Sequence, residues 1–216
     1  MKQIRTFHEQ KDFDDIYLTQ PYYPSGPAHD FRIYHTVGMM NAFMNTTVPR
    51  VRSVADLSCG NGTILLNYFL QNPHTTINTV FVSDYNPDSV IRTEDNLKRY
   101  VPMPLDITPF KGKAEDIIKL IPETDLLICT ETLEHLEEPA AFIRAATDKF
   151  KYIILSTPLD EKGMDNREHY WSWTEEDIKQ MLLTNKWKPV SYSYLSLLGS
   201  AVNFQLWIAA TTTVKS

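Results

Sequence analysis

The chain has 216 residues, 43% of them apolar and 22% charged, which suits one globular domain with a well-buried core and is short for two. Its net charge of −6 does not favour a long polyanion as partner. No apolar run approaches the roughly 20 residues that cross a bilayer, and the charged N-terminus is not a signal peptide, so we expect no membrane span. Cys59 and Cys129 are too few for a disulfide framework, which indicates a reducing, cytoplasmic setting with two buried thiols.

The first 50 residues have a character of their own. Three prolines within residues 21–27 exclude a continuous helix there. The next segment predicts a helix from Ala28 to Asn45, because apolar side chains recur at helical spacing (Phe31, Tyr34, Val37, Met40). We interpret residues 1–50 as an arm and lid that packs onto a main domain formed by residues 51–216.

From Val51 onward, short β-branched segments alternate with helical patterns. Strands are predicted over residues 51–57, 77–84, 103–107, 124–130, 152–158, 188–197 and 202–211. Helices are predicted over 62–72, 87–100, 113–121 and 139–149, and after the N-cap Thr174. The last two strands share a turn around Gly199–Ser200 and form an antiparallel hairpin. The alternation predicts an α/β fold: a Rossmann-like, mostly parallel sheet of seven strands with helices on both faces, which binds ligands beyond the carboxyl ends of its strands.

A glycine-containing loop follows the first of these strands. Gly60 and Gly62 allow a tight turn and a close approach of the backbone to a ligand. Asp84 ends the second strand, 22 positions after Gly62, where a carboxylate can accept hydrogen bonds from both ribose hydroxyls of an adenosine ligand. The alternatives are a purely structural turn and an exposed loop acid or helix cap.

Three segments carry a resemblance to a known family. DLSCGNG (56–62), VFVSDYNPDSV (80–90) and TDLLICTETLEHLEEP (124–139) resemble motifs of class I S-adenosylmethionine (SAM)-dependent methyltransferases. The resemblance implies that SAM is the cofactor, that Asp56 lies near its amino group and that the last strand runs antiparallel. It also adds Ser58, Tyr85, Ala114 and Thr130 to the predicted cofactor-binding residues.

Two positions depart from the family pattern. Ser58 stands where the first motif usually has its first glycine, and Lys113 stands where the third motif usually has an acid. A dinucleotide is disfavoured, because the full Gly-x-Gly-x-x-Gly spacing that places a pyrophosphate on a helix N-terminus is missing. Acids at Asp56 and Asp84 instead suit the ammonium group and the ribose diol of SAM.

A second group of polar residues follows the next two strands. Glu131, Glu134 and His135 come directly after the fourth strand, and His169 follows the fifth. Two carboxylates with imidazoles suit a divalent cation, with Mg²⁺ or Mn²⁺ favoured by the oxygen ligands. His135, His169 and Glu131 are the candidate catalytic residues, either through such a metal or, without one, through a histidine acting as general base. A structural role is the third alternative.

This second group also carries a resemblance. The Glu-x-x-Glu-His segment and a later histidine before an aromatic-x-Trp-Thr run resemble the small-RNA 3′-terminal 2′-O-methyltransferases of the Hen1 family, in which they bind a metal. Glu-x-x-Glu-His is also similar to the ubiquinone-pathway O-methyltransferases. We therefore predict methylation of a small-molecule oxygen. The alternatives are 2′-O-methylation of an RNA terminus or nucleotide, and a SAM-binding protein without methyl transfer.

Several further side chains are candidates for lining the site. Tyr170, Trp171 and Trp173 either stack on the acceptor or pack in the core, and core packing is more expected for Trp173 than for Trp171. Four residues of the arm are candidates for closing over the cofactor, with the arginine pairing with a carboxylate of SAM or substrate (Tyr22, Tyr23, His29, Arg32).

Overall fold

The computed structural model of the protein describes residues 1–5, 15–18, 26–46, 51–161, 169–196 and 202–212. The predictions for Tyr22, Tyr23 and the Gly199–Ser200 turn lie outside these residues. Within them, no helix is both long and apolar enough to span a membrane.

Two sheets are present in the described part of the chain. A small one pairs β1 (Lys2–Gln3) antiparallel with β7 (Trp171–Ser172). The large one has seven strands: β2 (Ser53–Asp56), β3 (Thr79–Asp84), β4 (Asp106–Lys111), β5 (Thr124–Thr130), β6 (Phe150–Leu159), β8 (Trp187–Ser196) and β9 (Asn203–Thr211).

The large sheet has the order β4-β3-β2-β5-β6-β9-β8. Neighbouring strands from β4 to β6 pair in parallel, and β9 runs antiparallel to both β6 and β8. The predicted mostly parallel, Rossmann-like sheet with an antiparallel last strand is therefore confirmed. Since chain order reverses between β2 and β5, the carboxyl ends of these two strands flank the crevice in which such sheets bind ligands.

Two of the described helices begin at side-chain caps, which are Asn86 and Thr174. The described helices are α1 (Pro27–Thr46), α2 (Thr63–Gln71), α3 (Pro87–Tyr100), α4 (Ala114–Leu120), α5 (Pro139–Lys149) and α6 (Glu175–Thr184), with a 3₁₀ turn at Leu133–His135 and a helical segment at 15–18. Asn86 caps α3 by accepting hydrogen bonds from the backbone of Asp88 and Ser89, with Pro87 in the first turn. Thr174, the predicted N-cap of this helix, forms a capping box with Asp177 at the start of α6.

Each face of the sheet carries its own hydrophobic core. Successive residues of β2 point to opposite sides, so Val54 packs with α1, α2 and α3 while Ala55 packs with α4, α5 and α6. Helix α1 contributes Val37 and Met40 to the first core, which fixes this part of the predicted arm against the domain. The two covered faces leave the edge at the carboxyl ends of the strands for the site.

The third predicted strand was misplaced. It was expected over residues 103–107 and is β4, at Asp106–Lys111. This strand lies at the sheet edge and pairs with β3 alone, so its residues are half-buried or exposed and lack the apolar signal of a central strand. The edge position also tolerates Pro109, which cannot donate to a ladder.

Candidate active site

The loop between β2 and α2 depends on its glycines. Gly60 and Gly62 have φ angles of 53° and 75°, in the left-handed region that favours glycine. A Cβ at Gly62 would lie 2.8 Å from Cγ2 of Thr93, so a side chain there would force Thr93 to move. The Gly60 N–H donates to Oδ2 of Asp84 at 2.8 Å, which joins the loop to the end of β3.

Ser58 needs no glycine at its position. It is absent from the residues with positive φ, so a Cβ is accommodated there without backbone strain. Its hydroxyl forms a hydrogen bond with the hydroxyl of Thr132, in the segment that follows β5. The serine therefore links the glycine loop to the second group of candidate residues.

Asp84 lies at the end of β3 and is only 4% exposed. Besides the bond from Gly60, its Oδ1 accepts from the Asn86 N–H at 2.9 Å and from the Tyr17 hydroxyl at 3.1 Å. Burial raises the pKa of this carboxyl group, and these hydrogen bonds oppose the rise. Asp84 thus ends its strand at the carboxyl edge of the sheet, with its carboxylate held in place by three hydrogen bonds.

The segment 15–18 crosses this part of the site. Asn86 Nδ2 donates to the backbone oxygens of Tyr17 and Leu18, at 2.6 and 3.0 Å. One amide side chain therefore caps α3 with its oxygen and ties the N-terminal segment down with its nitrogen. Sequence reasoning missed Tyr17, because nothing in the local pattern shows which residue of an arm reaches the sheet.

Asp56 is a second buried acid, 3% exposed, at the end of β2. Burial raises its pKa to about 7, and the nearby charge of Asp84 adds to the rise. The Ser58 N–H at 3.4 Å from Oδ1 and the charge of Arg32 favour the ionised form. This carboxyl group therefore holds its proton to a much higher pH than an ordinary aspartate, and a cation placed beside it would favour its ionised form.

Tyr85, Lys113 and Ala114 lie together beyond the ends of β3 and β4. The Gly112 N–H donates to the Asp84 backbone oxygen at 3.1 Å, which holds the start of α4 beside β3. The Lys113 ammonium lies 5.2 Å from the centre of the Tyr85 ring, a cation–π contact. Ala114 is the first residue of α4, where a backbone N–H has no acceptor within the helix.

The carboxylate and imidazole residues form a compact cluster. Glu134, His135 and His169 each offer one ligand atom, and these atoms all lie within 4.8 Å of one another. Glu134 and His135 lie on the 3₁₀ turn at Leu133–His135. The backbone N–H of Tyr170 donates to the backbone oxygen of Glu134 at 2.7 Å, which brings the chain after β6 against this turn.

Glu134 is the unusual member of the cluster. Its side chain is completely buried, and neither carboxylate oxygen has a hydrogen-bond partner among the described residues. Burial raises its pKa well above the ordinary value, and the charges of Glu131 and Glu161 raise it further. A buried carboxylate without a partner costs several kcal/mol, and a divalent cation is a group that would satisfy it. The donors present thus fit a metal.

Glu131 lies beside the cluster but outside its set of mutual distances. It has a φ of 51°, and its Oε1 accepts from the Ser156 hydroxyl at 2.9 Å. Arg32, 5% exposed, donates to the same hydroxyl at 3.5 Å and places its Nε 3.9 Å from Glu131 Oε1. Helix α1 therefore delivers a guanidinium to this edge of the sheet, one turn after half-buried His29.

His169 is held by a carboxylate that sequence reasoning missed. Its Nδ1 lies 2.5 Å from Oε2 of Glu161, and its ring meets the His135 ring edge-on, with centroids 4.8 Å apart. A single acid two residues after a strand carries no local signal. The eight-residue separation from His169 hides the pairing.

Stacking on the acceptor is wrong for Tyr170, and the alternative of core packing is confirmed for Trp173. Tyr170 and Trp173 are each 1% exposed, so neither is available to stack on an acceptor. Trp173 lies in the core, and Trp171 is only partly exposed and donates its indole N–H to the Leu136 oxygen at 2.7 Å.

The cysteines are buried and unpaired with each other, as predicted. Burial raises the pKa of both thiols, so thiolate chemistry is disfavoured at Cys59 and Cys129.

The strand order, the glycine loop after β2 and the acid at the end of β3 define the Rossmann-like class I SAM-dependent methyltransferases, which confirms the prediction from the sequence. The family described as "Methyltransferase domain" matches residues 40–192, more than half of the chain. The chain belongs to this methyltransferase family. No curated protein matches the sequence of this chain.

Solved structures share the fold. The chain is similar to magnesium protoporphyrin IX methyltransferase from Synechocystis PCC 6803 with bound SAM, with a TM-score of 0.71, 17% identity and coverage of 96% of this chain and 99% of that one. It is similar to the small RNA methyltransferase HEN1, with a TM-score of 0.69, 17% identity and coverage of 90% of this chain and 27% of that one. The methyltransferase domain of a bacterial Hen1 protein gives a TM-score of 0.64 and 17% identity, over 87% of this chain and all (100%) of that domain.

Proposed function

We propose that this protein transfers the methyl group of SAM to a hydroxyl oxygen of a small molecule with adjacent oxygens, assisted by Mg²⁺ or Mn²⁺. The observation that carries the proposal is the buried Glu134 carboxylate, which has no hydrogen-bond partner in the described residues and lies against His135 and His169. The hydroxyl contact between Ser58 and Thr132 joins this cluster to the glycine loop, so cofactor and acceptor would meet at one edge.

The cofactor would lie across the ends of β2 and β3. Asp84 would accept from the ribose hydroxyls, and Asp56 would pair with the amino group of the methionine moiety. Gly60 and Gly62 have no Cβ, so the loop backbone could approach the cofactor closely. The Arg32 guanidinium could pair with the carboxylate of the methionine moiety. The remaining contacts expected are Ser58, Tyr85, the Ala114 N–H and Thr130. The segment around Tyr17 would cover the ribose, in keeping with the proposed lid.

Glu134, His135 and His169 would hold the metal, with Glu131 beside them. A bound divalent cation would lower the pKa of an acceptor hydroxyl and neutralise the resulting alkoxide. The chain's own contribution is positional: it would hold the acceptor oxygen about 3 Å from the methyl carbon, in line with the departing sulfur. Without a metal, His135 or His169 would accept the hydroxyl proton directly. With a metal bound, the proton of the more acidic hydroxyl would pass to solvent.

A nucleotide or RNA 3′ terminus is the second candidate acceptor. Its adjacent hydroxyls offer the same pair of oxygens, and one structure with this fold is named a small RNA methyltransferase. The net charge of −6 disfavours a long RNA. Binding without transfer is weakened as an alternative, because both motif departures have structural partners: Thr132 for Ser58 and Tyr85 for Lys113.

The test is SAH release from SAM with a panel of catechol-type diols, ribonucleotides and a short RNA. We expect turnover with a diol acceptor, its loss with EDTA and its recovery with added Mn²⁺. Turnover that EDTA does not change would contradict the metal, and turnover with the RNA alone, weakening steeply with salt, would transfer the proposal to the RNA terminus. SAM binding without SAH release from any acceptor would contradict methyl transfer.

We also expect SAM binding to release a proton near neutral pH. The pKa of Asp56 is raised to about 7 in the free protein, and the ammonium group of SAM would favour the ionised carboxylate. Titration calorimetry at pH 7 in two buffers of different ionisation enthalpy should show a net release of protons. Asp56→Asn should abolish that buffer dependence. Its persistence in this variant would remove Asp56 from the cofactor site.

A further inference from the structure

We infer that Glu161 is a positioning residue that fixes the tautomer and ring orientation of His169. This inference rests on the proposed metal site and extends it to a residue outside the ligand cluster. The contact that carries it joins Glu161 Oε2 and His169 Nδ1 at 2.5 Å, between side chains that are 15% and 7% exposed.

The contact decides which ring nitrogen faces the cluster. A neutral imidazole carries one N–H, and the nitrogen without it keeps the lone pair that binds a metal. Because a carboxylate accepts the Nδ1 proton, the lone pair belongs to Nε2. Glu161 thereby leaves Nε2 of His169 as the ligand atom towards Glu134 and His135. Metal-binding histidines commonly donate their second ring N–H to a carboxylate in this way.

The backbone before Glu161 supports the arrangement. Asp160 has a φ of 53°, an uncommon conformation for a residue other than glycine, which turns the chain sharply as β6 ends. Its N–H donates to the Trp173 oxygen at 2.9 Å, and Trp173 belongs to the buried core. The turn that presents Glu161 is thus anchored to the core rather than left to a free loop.

The Glu161 carboxylate acts on the cluster through its charge, although it lies outside the set of proposed metal ligands. Glu161 is close enough to Glu134 for its charge to disfavour ionisation there, yet it does not share the cluster's mutual distances. Its negative charge adds to that of Glu131 and favours a cation at the cluster. The hydrogen bond to His169 holds the Glu161 carboxylate beside the imidazole, outside the set of proposed metal ligands.

The test compares Glu161→Ala and Glu161→Gln with the wild type, and Glu137→Ala serves as the matched control. Glu137 is exposed and follows the same 3₁₀ turn. Two readouts apply: Mn²⁺ affinity by titration calorimetry, and the His169 tautomer by ¹⁵N NMR of the metal-free protein. We expect the Nδ1–H tautomer in the wild type and its loss in Glu161→Ala, with about 10- to 100-fold weaker Mn²⁺ binding. Glu161→Gln keeps an acceptor for Nδ1–H, so its Mn²⁺ affinity should stay within about threefold of that of the wild type. Glu137→Ala should bind Mn²⁺ as the wild type does.

Each other outcome overturns a defined part. Wild-type Mn²⁺ affinity in Glu161→Ala, or an Nε2–H tautomer in the wild type, overturns the positioning role and leaves the metal site standing. Equal losses in Glu161→Ala and Glu161→Gln overturn it in favour of direct ligation. A wild-type protein that binds no Mn²⁺ overturns the metal site and this role together.

Discussion

Replacing Asp84 by alanine should weaken the binding of SAM and SAH by at least about 100-fold. Hydrogen bonds to a charged group contribute about 1.5 kcal/mol or more each, and two ribose hydroxyls would lose such a partner. Since about 1.4 kcal/mol corresponds to a factor of ten, the two bonds account for that loss. The substitution also removes the acceptor of the Gly60 N–H, so the glycine loop loses its anchor to β3.

The measurement is titration calorimetry with SAH, which requires no acceptor. Asp88→Ala is the matched control, because Asp88 is an exposed acid four residues away, in the first turn of α3. It should bind SAH as the wild type does. Asp84→Asn keeps one oxygen acceptor without the charge, so its SAH affinity should fall between those of Asp84→Ala and the wild type. If Asp84→Ala bound SAH with unchanged affinity, the cofactor would lie elsewhere.

Glu134→Gln should abolish Mn²⁺ binding and lower methyl transfer by about 1000-fold, because a metal acting on the acceptor supplies several kcal/mol of stabilisation. Glutamine has the same shape, so the cluster should keep its geometry. A substitution that only disturbed the packing would destabilise the protein at every pH. Glu134→Gln should instead leave the metal-free protein no less stable than the wild type at high pH. That difference follows from the direction of the pKa shift at Glu134.

The sign is set by protonation in the two states. The pKa of Glu134 is raised above its ordinary value of 4.5, so the folded protein holds this proton more tightly than the unfolded chain. The stability contributed is complete below pH 4.5 and is lost as the pH rises through the folded-state pKa. Glutamine stays neutral, so Glu134→Gln should gain stability relative to the wild type as the pH rises above 4.5.

Thermal unfolding across that pH range, with and without Mn²⁺, checks both parts. Glu137→Gln is the control and should keep the wild-type pH profile and the stabilisation by Mn²⁺. Undiminished Mn²⁺ stabilisation of Glu134→Gln would exclude Glu134 as a ligand. A constant stability difference at every pH would show that its carboxyl group titrates normally.

The fold was predictable because its signals are local and repeated. The caps at Asn86 and Thr174 mark helix starts, and the apolar runs at 124–130 and 152–158 mark central strands buried on both faces. The β4 strand escaped because an edge strand is half exposed and lacks such a run. The two-residue strands β1 and β7 are too short to show a period at all.

The candidate site was predictable only where strand order alone brings residues together. Asp56 and Asp84 end neighbouring parallel strands, so their proximity follows from the alternation of strands and helices. The contacts of Tyr17 with Asp84 and of Glu161 with His169 depend on where irregular segments fold back. The burial of the Glu134 carboxylate, which has no hydrogen-bond partner in the described part of the chain, depends on packing around the 3₁₀ turn, which no spacing in the sequence reveals.

A crystal grown with SAH and Mn²⁺, measured at a wavelength where manganese scatters anomalously, tests the central claim most directly. We expect the ribose on Asp84 and one anomalous peak within ligand distance of Glu134, His135 and His169. A cofactor bound as described but no peak at the cluster would contradict metal-assisted transfer. SAH bound away from the glycine loop would contradict the account as a whole.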